Sequence, residues 1–453
     1  MKLGILPLGR PTFDVDYANE KLSAMLACLD ASGHDIIGPR SLLLDGDATR
    51  ETINALKGEA IDRLLILQVT FTDAAMTVAA ASANTMPLSI WAVPEPRLGG
   101  RLRLNAFCGL NLASHALGLR KRPFNWAYAD ADTVDLDTLL SDGSSHAPHP
   151  KRTTATEEGA RISAKIAGSR IARIGEHPEG FDTCAYKQDA LKALADISVD
   201  EVELETLFDA ARSADASKTQ QVRAQAEADL TDLAEVDQEQ LDRSLKMKVA
   251  LDAMRAADAY DAFAIRCWPE TFTEYGGAVC GPVSMMGEAR LPCACEADVY
   301  GALTQLILQE AAQAPVFLTD LVDVDCTDNS AVVWHCGQAP ISMRAGEATA
   351  TIHTNRKMPL LYEFKLKPGG VTLMRISQAF GETKMILARG EMLDRPMSFT
   401  GTSGVLRFDR PADAVLNDII SSGLEHHMAI AYGDHLRALE GTAAALNIPV
   451  VRL

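Results

Sequence analysis

Apolar runs typical of β-strands alternate with helical patterns from the N-terminus onward. The strand-like runs cover residues 3–8, 35–44 with a turn, 64–70 and 88–93, and the helical patterns cover 17–31, 49–63 and 73–84. This alternation is the signature of a parallel sheet with helices on both faces. We therefore predict an open α/β domain over residues 1–150, which ends in the polar, linker-like stretch 141–154.

A second α/β unit begins with a strand-like run at residues 170–175 and continues into an acidic, strongly helical stretch at 201–257. Alanine, leucine and acidic residues recur there at three- and four-residue spacing, which predicts packed helices with one solvated face. The runs 262–267 and 316–321 have the pattern of buried strands and flank a helical pattern at about 298–312. We assign residues 151–338 to this second domain, of the Rossmann or flavodoxin-like kind.

Beyond residue 339 the pattern becomes one of short alternating strands separated by Gly or Pro turns. Such regular short strands favour a sandwich or a barrel. The last stretch returns to α/β, and we predict a third, β-rich domain over 339–453. Its strands are predicted at 349–353, 370–377, 384–390, 404–408, 428–432 and 449–453, and its helices at 412–421 and 435–447.

Composition narrows the range of functions. The net charge of −18 over 453 residues argues against nucleic acid and anionic membranes as partners, because both demand a basic surface. No apolar run reaches the ~20 residues that a bilayer requires, and the first apolar stretch is too short for a signal peptide, so we expect a cytoplasmic protein. The nine cysteines are an odd number without a secretory signal, and we expect reduced thiols.

The densest group of reactive side chains lies between residues 267 and 337. Glu296 begins a predicted helix, Asp320 ends the apolar run PVFLTD, and His335 follows the run AVVW. Each has an ordinary structural explanation, as a first-turn acid favoured by the helix dipole, a strand-end acid, or a satisfied core histidine. Their occurrence together within about forty residues instead favours a ligand site at the ends of strands.

Carboxylates combined with imidazole suit a hard or borderline divalent cation, with Mn²⁺ preferred here and Mg²⁺ or Co²⁺ as alternatives. Zn²⁺ is less favoured because carboxylates outnumber those of most structural zinc sites. A thiolate zinc cluster is disfavoured because the six cysteines of this segment contain no CxxC pair. His426 and His427 directly precede a predicted strand, where neighbouring residues point to opposite faces, so we expect at most one of them to reach the site.

Several segments resemble the fucose isomerase and arabinose isomerase family of sugar isomerases. The resemblance covers most of the chain and rests on LGRPTFDVDYA, WAVPEPRLGGRLRLNAFCGLNLASHAL, CWPETF, PCACEADVYGALT, FLTDLVDVD, WHCG and HHMAIAYGDHLRALEGTAAALNIPV. It implies two α/β domains followed by a β-barrel-containing C-terminal domain. It also implies a homo-oligomer in which the N-terminal domain of a neighbouring subunit completes each site.

The resemblance also implies roles for individual residues. The metal ligands of fucose-isomerase-like enzymes map onto Glu296, Asp320 and His427, and an additional ligating His of arabinose isomerases has a spacing that His335 resembles. Because the chain has Asp at 320 where arabinose isomerases have Glu, and is shorter than both enzymes, the identity of the sugar does not transfer. Arg10, Trp91 and Glu95 are expected to contact the sugar, although a buried Trp and a structural Arg are equally good explanations, and Trp268, Glu270 and Tyr275 are expected to orient it.

The implied function is the interconversion of an aldose and a ketose through an enediol. The cation would act as a Lewis acid on O1 and O2, while Glu296 and Asp320 relay the proton as base and acid. Neutral aldoses are the default substrates. An anionic sugar such as sulfoquinovose, a 6-sulfonated glucose, requires local cations, and Arg97, Arg101 and Arg103 are candidates, although such a run more often means exposed charge.

Two other functions stay open at this point. One is a non-catalytic sugar-binding protein on the same scaffold, and the other is a metal-assisted aldolase or lyase that acts on similar sugars. An isomerase is favoured over the first because all the proposed ligands are present, and product analysis would separate it from the second.

Overall fold

The computed structural model describes residues 1–142 and 147–453. Residues 143–146, inside the predicted linker at 141–154, lie outside the described residues. Among the described helices, none has both the length and the apolar character needed to span a membrane.

The first part of the chain alternates strand and helix as predicted. The elements are β1 (Lys2–Leu8), α1 (Val15–Ala31), β2 (Asp35–Ile37), α2 (Gly46–Leu56), β3 (Arg63–Gln68), α3 (Ala74–Ala83), β4 (Leu88–Ala92), α4 (Ala106–Leu119), β5 (Asn125–Tyr128) and α5 (Leu136–Leu139). The five strands are parallel in the order β2-β1-β3-β4-β5. Strands β3 and β4 are buried along their whole length, as a parallel sheet covered on both faces requires.

The second sheet is smaller and also parallel. The elements of this part of the chain are α6 (Glu157–Ile166), β6 (Arg170–Ile174), α7 (Gln188–Ala195), β7 (Ser198–Val202), α8 (Leu204–Arg212), α9 (Ala216–Asp229), α10 (Gln238–Asp258), β8 (Ala262–Ile265), α11 (Cys280–Glu288), β9 (Cys293–Ala294) and α12 (Val299–Ala312). The four strands are arranged in the order β7-β6-β8-β9.

The remaining strands form one mixed sheet. The elements are β10 (Phe317–Asp325), β11 (Ser330–His335), β12 (Arg344–Thr351), β13 (Leu361–Leu366), β14 (Gly369–Ser377), β15 (Lys384–Leu393), β16 (Thr402–Phe408), α13 (Ala412–Ser421), β17 (His427–Tyr432), α14 (Leu436–Ala445) and β18 (Val450–Arg452). The nine strands run in the order β12-β13-β16-β11-β10-β17-β14-β15-β18. Because β15 also pairs with β16, the six strands from β16 to β15 in this order close into a ring.

The strand expected at 316–321 does not belong to the second α/β sheet. It is part of β10, which pairs antiparallel with β11 and β17 in the nine-stranded sheet. The third sheet therefore begins before the expected boundary at 338. The sequence did not show this because an apolar run looks the same whether its partner strands are parallel or antiparallel. The α/β class is confirmed, and the division into three domains stays a prediction.

Two cysteines correct the expectation of reduced thiols. Cys267 and Cys295 are joined by a disulfide, with Cα atoms 5.8 Å apart. They follow β8 and β9, which are neighbouring parallel strands, so the sheet brings together two residues that the sequence separates by 28 positions. The other seven cysteines are free.

Helix α12 connects the second sheet to the third. Its buried side chains belong to one apolar cluster with residues of β8, β14 and β17. The turn that precedes α12 is therefore held beside the first residues of β17. Helices α6 and α14 contribute to the same cluster and approach so closely that a Cβ atom on Gly159 would lie 2.1 Å from the carbonyl carbon of Gly441.

We predict that Gly159→Ala lowers the free energy of unfolding by about 1–3 kcal/mol. The added methyl group has no room between α6 and α14. We therefore expect lower stability even though alanine has a higher helix propensity than glycine. Urea denaturation followed by circular dichroism measures the change. Gly370→Ala is the matched control, because a Cβ atom at Gly370 meets nothing within 4 Å. Equal stability of the two variants would contradict this account of the helix contact.

Candidate active site

The four predicted ligands come together from four elements. Glu296 lies in the short turn between β9 and α12, Asp320 on β10, His335 at the end of β11 and His427 at the start of β17. Asp320 stands in the middle of its strand and not at the strand end that the sequence indicated, because β10 continues to Asp325. Asp320 is directly opposite His427 on the neighbouring strand, which places the two side chains on one face.

Three of these side chains present Lewis-basic atoms to one another. The Nε2 atom of His427 lies 3.5 Å from Oδ1 of Asp320 and 3.7 Å from Oε2 of Glu296. Nε2 of His427 and Oδ1 of Asp320 are buried and have no hydrogen-bond partner among the described residues. Unpaired buried polar atoms are costly, so this convergence calls for a positively charged partner.

A buried carboxylate determines which nitrogen of His427 is available. Nδ1 of His427 lies 2.9 Å from Oδ2 of Asp298, and Arg375 donates to the same carboxylate at 2.5 and 3.0 Å. Burial alone would raise the pKa of Asp298, but the charge of Arg375 and the hydrogen bond from His427 outweigh burial and hold the pKa well below its ordinary value. An ionised carboxylate only accepts hydrogen bonds, so Nδ1 of His427 carries the proton.

The lone pair of His427 Nε2 is consequently free to bind a cation. Burial, followed by the charge of His426, lowers the pKa of His427, which favours the neutral ring. A ligating histidine whose other nitrogen donates to a carboxylate is the usual arrangement around bound metals.

Glu296 is held by two donors. The indole Nε1 of Trp268 donates to Oε1 at 2.9 Å, and Nε2 of His426 lies 2.9 Å from Oε2. Burial would raise the pKa of Glu296, but the hydrogen bond and the charge of His426 lower it below its ordinary value. The backbone of Glu296 is left-handed, with φ of 57°, a conformation that non-glycine residues adopt at a cost and that concentrates at functional sites.

His335 differs from His427 in its hydrogen bonding. Its Nδ1 accepts the backbone N–H of Cys336 at 2.9 Å, and its Nε2 is buried without a partner among the described residues. In a neutral imidazole whose Nδ1 is the acceptor, Nε2 carries the proton. In this arrangement Nε2 of His335 is a hydrogen-bond donor, and its predicted role as a fourth ligand, which stays a prediction, would require the loss of that proton.

The donor set fits a divalent cation. Cys184, Glu296, His426 and His427 form one group whose candidate ligand atoms lie within 4.8 Å of one another, and Asp320, His335 and His427 form a second. Oxygen donors with one imidazole suit the harder divalent cations. The residues that face the shared His427 Nε2 are Glu296 and Asp320.

Comparison with known proteins identifies the family. The family profile described as the N-terminal domain of fucose/sulfoquinovose isomerase matches residues 4–140, and that of the C-terminal domain of L-fucose isomerase matches residues 361–453. A sulfoquinovose isomerase from Alkalicoccus urumqiensis is 30% identical over 99% of this chain and 98% of its own length. The chain belongs to the fucose/sulfoquinovose isomerase family.

Other members of the family are similar over equal lengths. A sulfoquinovose isomerase from Priestia aryabhattai is 29% identical over 98% of this chain and 97% of its own, and one from Clostridium sp. (strain MSTE9) is 28% identical over 96% and 95%. Among solved structures, an ABC transporter solute-binding protein from Actinobacillus succinogenes with bound D-allose aligns at 12% identity over 59% of this chain and 77% of its own, with a TM-score of 0.18. Membership of the family confirms the predicted enzyme class, an aldose–ketose isomerase.

The residues expected to contact or orient the sugar lie in different surroundings. Trp268 touches Glu296, as described above. Trp91 is 0% exposed and its indole donates to the carbonyl of Ala129, so it is a core residue with no surface left for a ligand in this chain. Glu95 is also buried, and its carboxylate accepts the backbone N–H groups of residues 103–105. Both side chains thus have structural contacts within this chain, and their predicted contacts with the sugar stay a prediction.

The other three residues predicted to contact or orient the sugar, Tyr275, Glu270 and Arg10, have partners within the fold. The Tyr275 hydroxyl donates to the carbonyl of Arg243 and its ring stacks on Phe208, so it belongs to the core of the second sheet. Glu270 forms an ion pair with Arg266 at 2.6 Å. Arg10 is half-buried and forms an ion pair with Asp73.

Sequence reasoning missed Asp298, Arg375 and Cys184, and it excluded His426. The expectation that at most one of His426 and His427 reaches the site is wrong: both contact Glu296, since strand β17 and its alternation begin only at His427. The signal for Asp298 was its spacing, two residues after Glu296 and at the N-cap of α12. No local signal pointed to Arg375.

We predict that Asp298→Asn weakens Mn²⁺ binding about 10- to 100-fold. The Asn side chain lacks the negative charge that keeps the proton on Nδ1 of His427. The substitution therefore acts through His427, because residue 298 does not itself face the candidate cation. Calorimetric titration with MnCl₂ measures the affinity, with urea unfolding on the same sample because Arg375 also loses its partner. Asp418→Asn removes another buried acid paired with an arginine, at 2.7 Å from Arg410, and should leave the affinity unchanged. Unaltered Mn²⁺ affinity in folded Asp298→Asn would refute the orienting role.

Proposed function

We propose that this protein is a metal-dependent isomerase that converts a 6-sulfonated aldose, of which sulfoquinovose is the model, into the corresponding ketose through an enediol. The observation that carries the proposal is the convergence of His427 Nε2, Asp320 Oδ1 and Glu296 Oε2 within 3.7 Å of the imidazole nitrogen, two of them buried without partners among the described residues. Two unpaired bases beside a carboxylate oxygen are suited to a cation. The sulfonated substrate is supported by the activity named for the relatives, which are similar over nearly their whole length.

Glu296, Asp320 and His427 would hold the cation, for which Mn²⁺ is our first choice and Mg²⁺ or Co²⁺ are alternatives. When bound, such a cation acts as a Lewis acid that polarises the carbonyl and the neighbouring hydroxyl of the sugar. Asp298 and Arg375 keep His427 in the tautomer that this role needs.

The protein's own groups account for the proton movements. Isomerisation removes a proton from C2 of the aldose and returns one to C1, with a second transfer between the two oxygens. Glu296 and Asp320 are the carboxylates within reach of this position, and each is assigned both proton transfer and metal binding. His335 Nε2, as a donor, would stabilise negative charge that develops on a sugar oxygen. Trp268 holds Glu296 in place through its indole N–H.

Two further parts of the proposal concern assembly. Division into two α/β domains and a barrel-containing C-terminal domain is supported by the two parallel sheets and the six-stranded ring. Assembly into a homo-oligomer with shared sites follows from the family resemblance, and light scattering coupled to size-exclusion chromatography would test it.

We predict that the purified protein, stripped by a chelator and resupplied with Mn²⁺, converts sulfoquinovose to its ketose, and that Glu296→Gln lowers kcat by at least about 10²- to 10⁴-fold. NMR in D₂O detects both the ketose and deuterium incorporated during proton transfer. Glu391→Gln, an exposed acid on β15, should retain full activity. Formation of two smaller fragments would instead favour a lyase, and normal turnover by Glu296→Gln would rule out the assigned catalytic role.

A further inference from the structure

The loop between β12 and β13 places an arginine beside the candidate site. The guanidinium carbon of Arg356 lies 5.5 Å from the centroid of the Trp268 ring. The same indole donates to Oε1 of Glu296 at 2.9 Å. Arg356 and the metal-ligand carboxylate thus contact a single aromatic side chain, one through its face and the other through its N–H edge.

Arg356 differs from the arginines that the sequence suggested for an anionic substrate. Arg97 is paired with Asp323 at 2.6 Å, and Arg103 with Asp14 at 2.8 Å. Arg101 donates to the side chain of Asn355 and to the carbonyl of Thr12. The charges of Arg97 and Arg103 are therefore neutralised by carboxylates within the fold, and two nitrogens of Arg101 are occupied by neutral oxygens.

The charge of Arg356 has no such partner. Among the described residues, no carboxylate oxygen lies within 4.0 Å of its guanidinium nitrogens. The side chain is half-buried, and burial lowers its pKa. In a chain with 61 acidic and 43 basic side chains, an arginine in this environment without an acidic neighbour is unusual.

A second cation lies close to the first. Burial, followed by the charge of Arg356, lowers the pKa of Arg10. Nε of Arg10 is buried without a hydrogen-bond partner, although the guanidinium is paired with Asp73. Two guanidinium groups that repel one another beside a polar site are stabilised by an anion that contacts either of them.

We propose that Arg356 binds the sulfonate of a 6-sulfonated aldose while C1 and C2 of the same sugar lie at Glu296, Asp320 and His427. This inference rests on the proposed function. A planar guanidinium matches the oxygens of a sulfonate in a two-point, charge-assisted hydrogen bond. An extended hexose spans roughly 6 Å from C1 to C6, as estimated from C–C bonds of ~1.5 Å, and the sulfonate extends beyond C6, so one sugar can lie across the indole that contacts both Glu296 and Arg356.

Arg356 is then a specificity residue and not a general binding residue. We expect it to distinguish two sugars that are identical except for the sulfonate, sulfoquinovose and 6-deoxyglucose. Removal of the guanidinium should cost binding only where the sulfonate is present, because the neutral sugar has nothing for it to recognise.

The test compares kcat/KM for sulfoquinovose and 6-deoxyglucose in the Mn²⁺-loaded wild type and in Arg356→Met. We expect the variant to lose about 10- to 100-fold toward sulfoquinovose, mainly through KM, and less than about threefold toward 6-deoxyglucose. Arg356→Lys keeps the positive charge but loses the planar guanidinium that makes two hydrogen bonds, so its kcat/KM toward sulfoquinovose should lie between those of the wild type and Arg356→Met. Lys357→Gln removes a positive charge from the adjacent, exposed position and should match the wild type. Equal losses toward both sugars, or no loss toward sulfoquinovose, would overturn the assignment.

A binding experiment tests the role of Arg356 independently of isomerase activity. The alditols 6-deoxy-6-sulfo-D-glucitol and 6-deoxy-D-glucitol have no carbonyl to isomerise, and calorimetry measures their affinities for the wild type and Arg356→Met. Selective weakening of the sulfonated alditol supports Arg356 even if the wild type turns over neither sugar, an outcome that would refute the isomerase proposal alone. Thermal unfolding of each variant establishes that the compared proteins are folded, and equal binding of the sulfonated alditol by folded Arg356→Met would refute the subsite.

Discussion

The arrangement of the site depends on the buried ion pair between Asp298 and Arg375. Both side chains are 1% exposed, and the carboxylate also caps helix α12 through the N–H of Gly301 while it accepts a hydrogen bond from Nδ1 of His427. Breaking such a pair by removing one partner typically costs about 3–5 kcal/mol, because a charge is left buried alone. One carboxylate thus connects the stability of the fold, the start of a helix and the tautomer of a candidate metal ligand.

That connection explains how elements from different sheets reach one point. Glu296 follows the last strand of the small parallel sheet, whereas Asp320 and His427 stand opposite each other in the nine-stranded sheet. Helix α12 begins directly after the Glu296 turn and is buried against β14 and β17. Packing of α12 therefore sets the distance between a carboxylate from one sheet and an imidazole from another, and the left-handed turn at Glu296 directs the side chain into the gap.

Local patterns predicted local structure well and long-range partners poorly. Helix α13 (Ala412–Ser421) coincides with its predicted range because its amphipathic pattern and its length are contained in adjacent residues. Motifs and family resemblance pointed to Glu296 and His427, whose side chains the fold brings to within 3.7 Å of each other. The role of Arg375 depends on a contact with a residue 77 positions away, which no local pattern contains. Trp91 lies in the core, and the sequence alone left this open because an aromatic residue in a motif looks the same whether it lines a site or fills a core.

Net charge likewise describes the whole chain and not the surroundings of one ligand. The charge of −18 acts over distances at which salt screens it, about 8–10 Å at physiological ionic strength. Inside the site the nearest charges decide, and beside Trp268 these include the guanidinium of Arg356. A polyanion such as nucleic acid needs many phosphate contacts at once and is repelled by an acidic surface. A single sulfonate needs only one well-placed arginine, so an acidic composition excludes the first kind of partner and leaves the second open.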